Sequence, residues 1–293
     1  MDLPYLRAHP QHLPTFLTHQ RIRETPVSGG DVCVASRLTL DDGASIFAKT
    51  WPRGTPPDGF FEAEAAGLRW LRDAGAVPIP EVLVALPTML AMEWVDPGAP
   101  APSAAAEFGR ALADLHRSGA PSFGATWPGF IGPLPLDNTP SDGLWSDWFA
   151  ARRLEPYLRR SADRGALSGD DVRAVEQIIR TIRRYEVSEP PARTHGDLWP
   201  GNVLWALDGR AWLVDPAAQG GHRETDLAAL ALFGGAPHLT TILAAYQEVF
   251  PLADGWRDRV PLHQLHLLLV HTAVFGAAYR PAVRAAADAV LGQ

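Results

Sequence analysis

The chain of 293 residues is short of several things, and each shortage excludes something. It has one cysteine, Cys33, which rules out an intramolecular disulfide and any metal cluster built on cysteines. No stretch approaches the roughly 20 apolar residues that span a bilayer. The longest apolar tract, residues 265–278, is interrupted by His266 and His271 and reads as a buried helix. The opening Met1-Asp2-Leu3-Pro4-Tyr5 lacks the basic start and apolar core of a secretory signal, so a cytoplasmic chain is expected. Basic charge is also in deficit. Lys and Arg number 26 against 33 Asp and Glu, and the balance of −7 has the wrong sign for nucleic acid or an acidic membrane surface.

The scarcest polar residue is lysine: Lys49 stands alone beside 25 arginines. Most basic positions here therefore accept a guanidinium, and Lys49 is the exception. Lysine is a compact charge on a flexible stem and arginine a wide planar fork, so a site that places one cation among phosphates would resist the exchange. What is present in quantity is ordinary for a folded protein, with 46% apolar and 20% charged residues, which excludes disordered and fibrous chains.

Residues 21–27, 32–40 and 44–50 are β-rich and separated by Ser28-Gly29-Gly30-Asp31 and by the hairpin signal Asp41-Asp42-Gly43, which predicts a three-strand meander with Lys49 near its end. Phe61, Ala65, Leu68 and Leu71 recur at helical spacing within residues 60–74, and two short strands are expected at 81–85 and 89–94. The break Asp96-Pro97-Gly98-Ala99-Pro100 divides a β-rich unit, residues 1–95, from a mostly helical unit, residues 96–293. Helices are predicted at 104–117, 145–160, 169–185, 223–233, 240–250 and 261–291, the last broken at Pro281, and residues 122–147 are expected to loop over a surface. One hairpin interrupts the helices, residues 202–207 and 211–214 joined by Asp208-Gly209.

The chemistry concentrates in Thr194-His195-Gly196-Asp197-Leu198-Trp199-Pro200-Gly201-Asn202 and in Leu213-Val214-Asp215-Pro216. An acid, an amide five residues on, a hairpin and a second acid suit phosphoryl transfer from a metal-bound nucleotide. Asp197 would accept the proton of the attacking hydroxyl, and Asn202 and Asp215 would offer magnesium the hard oxygen ligands it prefers. Singly, each residue fits an ordinary loop equally well. Ser28, Gly29 and Gly30 would bring backbone amides to phosphate oxygens, and Lys49 would pair with a carboxylate on the next helix, Glu64 in preference to Glu62. Met92, Glu93, Trp94 and Val95, running into the break, would form the segment that meets adenine.

These residues resemble the fructosamine kinase (ketosamine-3-kinase) family within the aminoglycoside phosphotransferase and protein-kinase-like fold. The resemblance runs from Thr25 to about Tyr279 and includes Leu112-Ala113-Asp114-Leu115-His116, Gly129-Phe130-Ile131-Gly132, Trp145-Ser146-Asp147-Trp148, Gly221-His222-Arg223-Glu224 with Asp226, and Phe275-Gly276. It implies an α+β, two-lobed protein-kinase-like fold, with an antiparallel sheet and one main helix in the N-terminal lobe and a mostly helical C-terminal lobe. It also implies ATP and Mg2+, and phosphorylation of the C3 hydroxyl of a small-molecule or protein-linked ketosamine, a deglycation activity. Carried over, Asp197 is the base, Asn202 and Asp215 hold magnesium, and Trp199 touches substrate. Arg223, Glu224 and His271 are further substrate candidates, and Asp226 is a candidate anchor for the catalytic loop. A monomer or weak homodimer is expected, without nucleic-acid or membrane partners. Two departures stand out. Asp215-Pro216-Ala217 replaces the Asp-Phe-Gly of protein kinases, so no phosphate-ordered activation loop is implied, and Asp31 with Cys33 two residues later stands where some relatives carry a redox cysteine. Cys33 is therefore expected to be a small buried apolar residue.

Two other readings compete. An aminoglycoside or choline-like phosphotransferase would share the catalytic set but need a dense acidic wall, for which the region after Ala217 offers only Glu224, Asp226, Glu248 and a few others. A non-catalytic nucleotide-binding scaffold would typically have lost the lysine, the base or a metal ligand, and none is missing.

Overall fold

The structure, a computed structural model, describes all residues except 20, 21, 29, 31 and 293. Two short helices, α1 (Leu3–Ala8) and α2 (Leu13–Thr18), precede the sheet and were not legible as amphipathic periods because each is only six residues long. The sheet itself comprises β1 (Arg23–Pro26), β2 (Val34–Thr39), β3 (Ser45–Thr50), β4 (Val82–Leu86) and β5 (Met89–Glu93), with α3 (Phe60–Asp73) between β3 and β4. Its order is β1-β2-β3-β5-β4, with every neighbouring pair antiparallel.

Period-two alternation along β3 sorts its residues between two environments. Ile46 and Ala48 join an apolar cluster with Leu6, Leu13 and Leu38, under the N-terminal helices. Phe47 and Lys49 take the opposite face and line the interlobe cleft, where Ala35 is paired across from Lys49. Helix α3 buries Phe61, Ala65, Leu68 and Leu71 completely, and these belong to the larger apolar cluster, which continues into the helical lobe.

The chain between the lobes is stitched to the hairpin that turns at Asp208-Gly209: the Gly98 amide donates to Trp205 O at 2.7 Å and the Leu207 amide to Asp96 O at 2.9 Å. Helix α4 (Pro102–Arg117) follows. Residues 122–147 are more than a surface loop. They carry a hairpin, β6 (Gly129–Ile131) with β7 (Leu134–Leu136), and wall the cleft with Trp127, Phe130 and Asn138. Helix α5 (Trp145–Phe149) runs through a π-helical turn, Ala150–Leu154, into α6 (Glu155–Asp163), and α7 (Gly169–Thr181) opens on a capping box between Ser168 and Asp171.

Beyond α7 lie β8 (Ala192–Thr194), β9 (Val203–Trp205), β10 (Ala211–Leu213) and β11 (Gln219–Gly221). The β9–β10 hairpin matches expectation, whereas the β8–β11 pair brackets the catalytic segment and was not anticipated. Helices α8 (Arg223–Ala229), α9 (Leu239–Val249), α10 (Trp256–Phe275) and α11 (Arg280–Leu291) complete the lobe. The last two correct the predicted 261–291 segment. Pro261 lies inside α10, the break falls at Gly276, and Pro281 sits in the first turn of α11, where a proline sacrifices no intrahelical hydrogen bond.

Candidate active site

A cleft of ≈ 740 Å³ lies between the lobes. From the sheet lobe it receives Ser28 and Gly30, Lys49, Glu64, and the run Met92, Glu93, Trp94 and Val95. Gly29, predicted beside them, and Asp31 lie outside the described residues. The helical lobe contributes Asp197, Trp199, Asn202, Asp215 and His271. Side chains as far apart in sequence as Ser28 and His271 therefore share one cavity.

Lys49, 8% exposed, is its buried cation. Its Nζ donates to Glu64 Oε1 at 2.8 Å and also to Asp215 Oδ1. Burial alone would favour the neutral amine, but the two carboxylates outweigh it and hold the lysine charged, above its ordinary pKa. Glu64, rather than Glu62, is thus the partner on α3.

Asp197 and Asn202 are locked together. The Asn202 amide nitrogen donates to Asp197 O at 2.8 Å and lies 3.3 Å from its Oδ2, which leaves the amide oxygen as the atom to offer a cation. Burial, reinforced by the Asp215 carboxylate, pushes the Asp197 carboxyl up to about 7, in the range that suits a general base near neutral pH. Asp215 itself has φ +55, in the left-handed region that a non-glycine residue adopts only when its surroundings hold it there. An amide oxygen and a carboxylate beside a fixed ammonium make a hard-oxygen set suited to magnesium and phosphate.

The loop carrying Asp197 is held from behind. Asp226, 1% exposed, accepts from the backbone amides of His195 at 2.7 Å and Gly196 at 2.9 Å, and lies 3.2 Å from His116 Nε2. His195 Nδ1 accepts from the Asp197 amide at 3.2 Å, so its Nε2–H donates to Val214 O at 2.8 Å. One neutral imidazole, its pKa lowered by burial, thereby ties the strand before Asp215 to the loop bearing Asp197. Gly196 allows the close approach: at φ +82, an added Cβ would lie 2.1 Å from Ala217 O.

Arg223 and Glu224 do not reach the cleft. Both are 3% exposed in the first turn of α8. Arg223 pairs with Glu189 through two nitrogens at 2.7 and 2.6 Å, and Glu224 takes Arg259 at 2.8 and 2.6 Å. These fork pairs fix α8, and with it Asp226, and correct the expectation that the two residues meet substrate.

With this geometry in place, comparison with known proteins decides the family. The fructosamine kinase family model matches residues 9–293. The chain belongs to that family and is a kinase. A probable ketoamine kinase of Enterococcus faecium is 36% identical over 262 residues, which cover 87% of this chain and 90% of the relative. A probable ketoamine kinase of Thermus thermophilus is 35% identical over 254 residues, covering 87% and 88%. A solved structure from Thermobifida fusca, provisionally described as a fructosamine-3-kinase, is 50% identical, with a TM-score of 0.88 over 93% of this chain and 94% of that one. An aminoglycoside phosphotransferase at 18% identity and TM-score 0.64, over 95% and 99% of the two chains, shares the two-lobed phosphotransferase fold.

Sequence reasoning missed the supports of this kinase site. His116 meets Asp226 from α4, 110 residues away. Arg153, fully buried, donates to Asp137 O at 2.7 Å and Asn138 Oδ1 at 2.8 Å, and so sets a residue of the cleft wall. Arg153 lies in the π-helical turn between α5 and α6, and an irregular turn of this kind breaks the helical period from which its facing could have been read.

Proposed function

We propose that the protein transfers the γ-phosphoryl group of ATP to the C3 hydroxyl of a ketosamine, the adduct a sugar forms with an amine, and so acts in deglycation. The convergence of Lys49, Glu64, Asp197, Asn202 and Asp215 on one cleft carries this reading. Met92 to Val95 would hold adenine and Ser28 to Gly30 the phosphates, with Lys49 kept in place by Glu64. Magnesium, held by Asn202 and Asp215, would neutralise phosphate charge. Asp197 would accept the C3 hydroxyl proton as that oxygen attacks in line. The gain comes from positioning and fixed charge more than from covalent chemistry.

Three of the carboxylates after Ala217 are already engaged: Glu224 and Asp226 are committed to Arg259 and His116, and Glu248 is paired with Arg110. A coupled ADP-release assay on fructoselysine, ribuloselysine, kanamycin and choline tests the reading. ADP release is expected with the ketosamines and not with the other two. Release with kanamycin or choline alone would replace it, and ATP binding without release on any acceptor would favour a scaffold.

A further inference from the structure

The outer end of the cleft is built of aromatic rings. The centroid of Phe233 lies 4.7 Å from that of His271, 5.8 Å from Tyr279 and 5.9 Å from Trp199, and His271 lies 5.6 Å from Phe275. The five rings come from the catalytic segment, the turn after α8, the end of α10 and the turn beyond it, so the fold gathers them from four places. Trp199, His271 and Phe275 line the cavity itself. Phe233 and Phe275 are each 44% exposed, in a protein that buries most of its large apolar side chains. Phe233 also has φ +53, a conformation unfavourable for a non-glycine residue and sustained only where the surroundings impose it.

The charge of the cavity wall is one-sided. Among its described residues Lys49 is the only lysine or arginine, and it is already bound to Glu64 and Asp215, whereas Glu64, Glu93, Asp197 and Asp215 are acidic. An anionic group among the rings that line the cavity would find no guanidinium or ammonium in that lining; Arg164, beside the end of α10, is bound to the Ala273 and Val274 carbonyls, and Arg280 is paired with Asp171.

We infer that the ring cluster is the subsite for the amine arm of the acceptor, and that it selects ketoamines whose protonated nitrogen carries an apolar or aromatic substituent over those with a carboxylate beside the nitrogen. The inference rests on the ketosamine reading above. The nitrogen of such an adduct is a secondary amine, cationic at neutral pH, and lies only a few bonds from the C3 hydroxyl. With that hydroxyl at Asp197, the nitrogen falls near Trp199, two residues along the same segment. Ring faces attract the cation, and its substituent can pack among Phe233, Phe275 and Tyr279. A neighbouring carboxylate is rejected by the absence of a partner rather than by lack of room.

The test compares kcat/KM on three fructosyl adducts, those of benzylamine, methylamine and glycine, for the wild type, Phe233→Ala and Phe275→Ala, with melting temperatures recorded for each. Wild type is expected to prefer the benzylamine to the glycine adduct by about tenfold or more, and each ring truncation to lower the benzylamine-to-methylamine ratio by about tenfold. Phe275→Leu, which keeps apolar bulk and removes the ring face, serves if an alanine variant fails to fold, and the same fall in ratio is expected. Equal use of the benzylamine and glycine adducts by wild type, or a parallel loss on all three adducts in the variants, overturns the inference and leaves the ketosamine activity standing. Phosphorylation of none of the three by wild type overturns that activity and the subsite with it.

Discussion

At the scale of single residues, the site depends on what each group is prevented from doing. Lys49 cannot lose its charge between Glu64 and Asp215, and the two bonds His195 makes fix which of its nitrogens carries the proton. Cys33 is the opposite case to an activated thiol. It is half-buried at the cleft wall beside β2, and burial pushes its thiol up to about 11 despite the nearby Lys49. A thiol of that kind is protonated at neutral pH and a poor nucleophile. Its alkylation by iodoacetamide is expected to be slow at pH 7.5 and to keep accelerating beyond pH 9.5. A rate that levels off near pH 8, as for an exposed or activated thiol, would contradict this. The expected burial is only partial, since Cys33 stands just ahead of the strand rather than within it.

At the scale of elements, packing is set by small residues at close crossings. Helix α4 lies on α9 so closely that a Cβ on Gly109 would come within 2.2 Å of Ile242 O and 3.1 Å of the Ala245 Cβ. Gly109→Ala gains helix propensity but must push the helices apart, and overpacking of this kind typically costs about 1–3 kcal/mol. A lowered melting temperature is expected, and an unchanged or raised one would show that the crossing has slack. The elements also show what the sequence reveals. The meander, α3 and the 203–213 hairpin were legible because period and turn chemistry act locally. The β8–β11 pair was not, since Gln219-Gly220-Gly221 has no strand character and pairs with residues 25 to 29 positions away. Arg223 and Glu224 were misplaced for a related reason. A charge pair in a first helical turn looks solvent-facing until partners as distant as Glu189 and Arg259 arrive.

At the scale of the whole molecule, four buried histidines of the helical lobe are held neutral. His195, His222, His263 and His266 are all buried, and burial lowers the pKa of each, His266 to about 3. Unfolded histidines titrate near 6.5, so below that value the unfolded chain binds more protons than the folded one. The stability from these neutral imidazoles is complete above pH 6.5 and is lost as pH falls toward the lower folded values. At pH 5 the loss is on the order of 2 kcal/mol for each histidine that stays neutral. Glu224, held down to about 2 by Arg259 and His263 against the effect of burial, loses its contribution only below about pH 4.5, outside this window. The melting temperature is expected to fall by at least about 5 °C between pH 7 and pH 5. A flat profile over that interval would mean that these histidines are hydrated or already charged.

The catalytic role of the cleft is tested most directly by transfer of label from γ-³²P-ATP to fructoselysine by wild type and by Asp197→Asn. Wild type is expected to place the phosphate on C3. The variant, which keeps the shape of the side chain but cannot accept the proton, is expected to be slower by about 10²–10⁴ while binding ATP undiminished. Equal transfer by the two proteins, or label on no ketosamine while ATP is bound, would contradict the assignment of Asp197 and of the chemistry built around it.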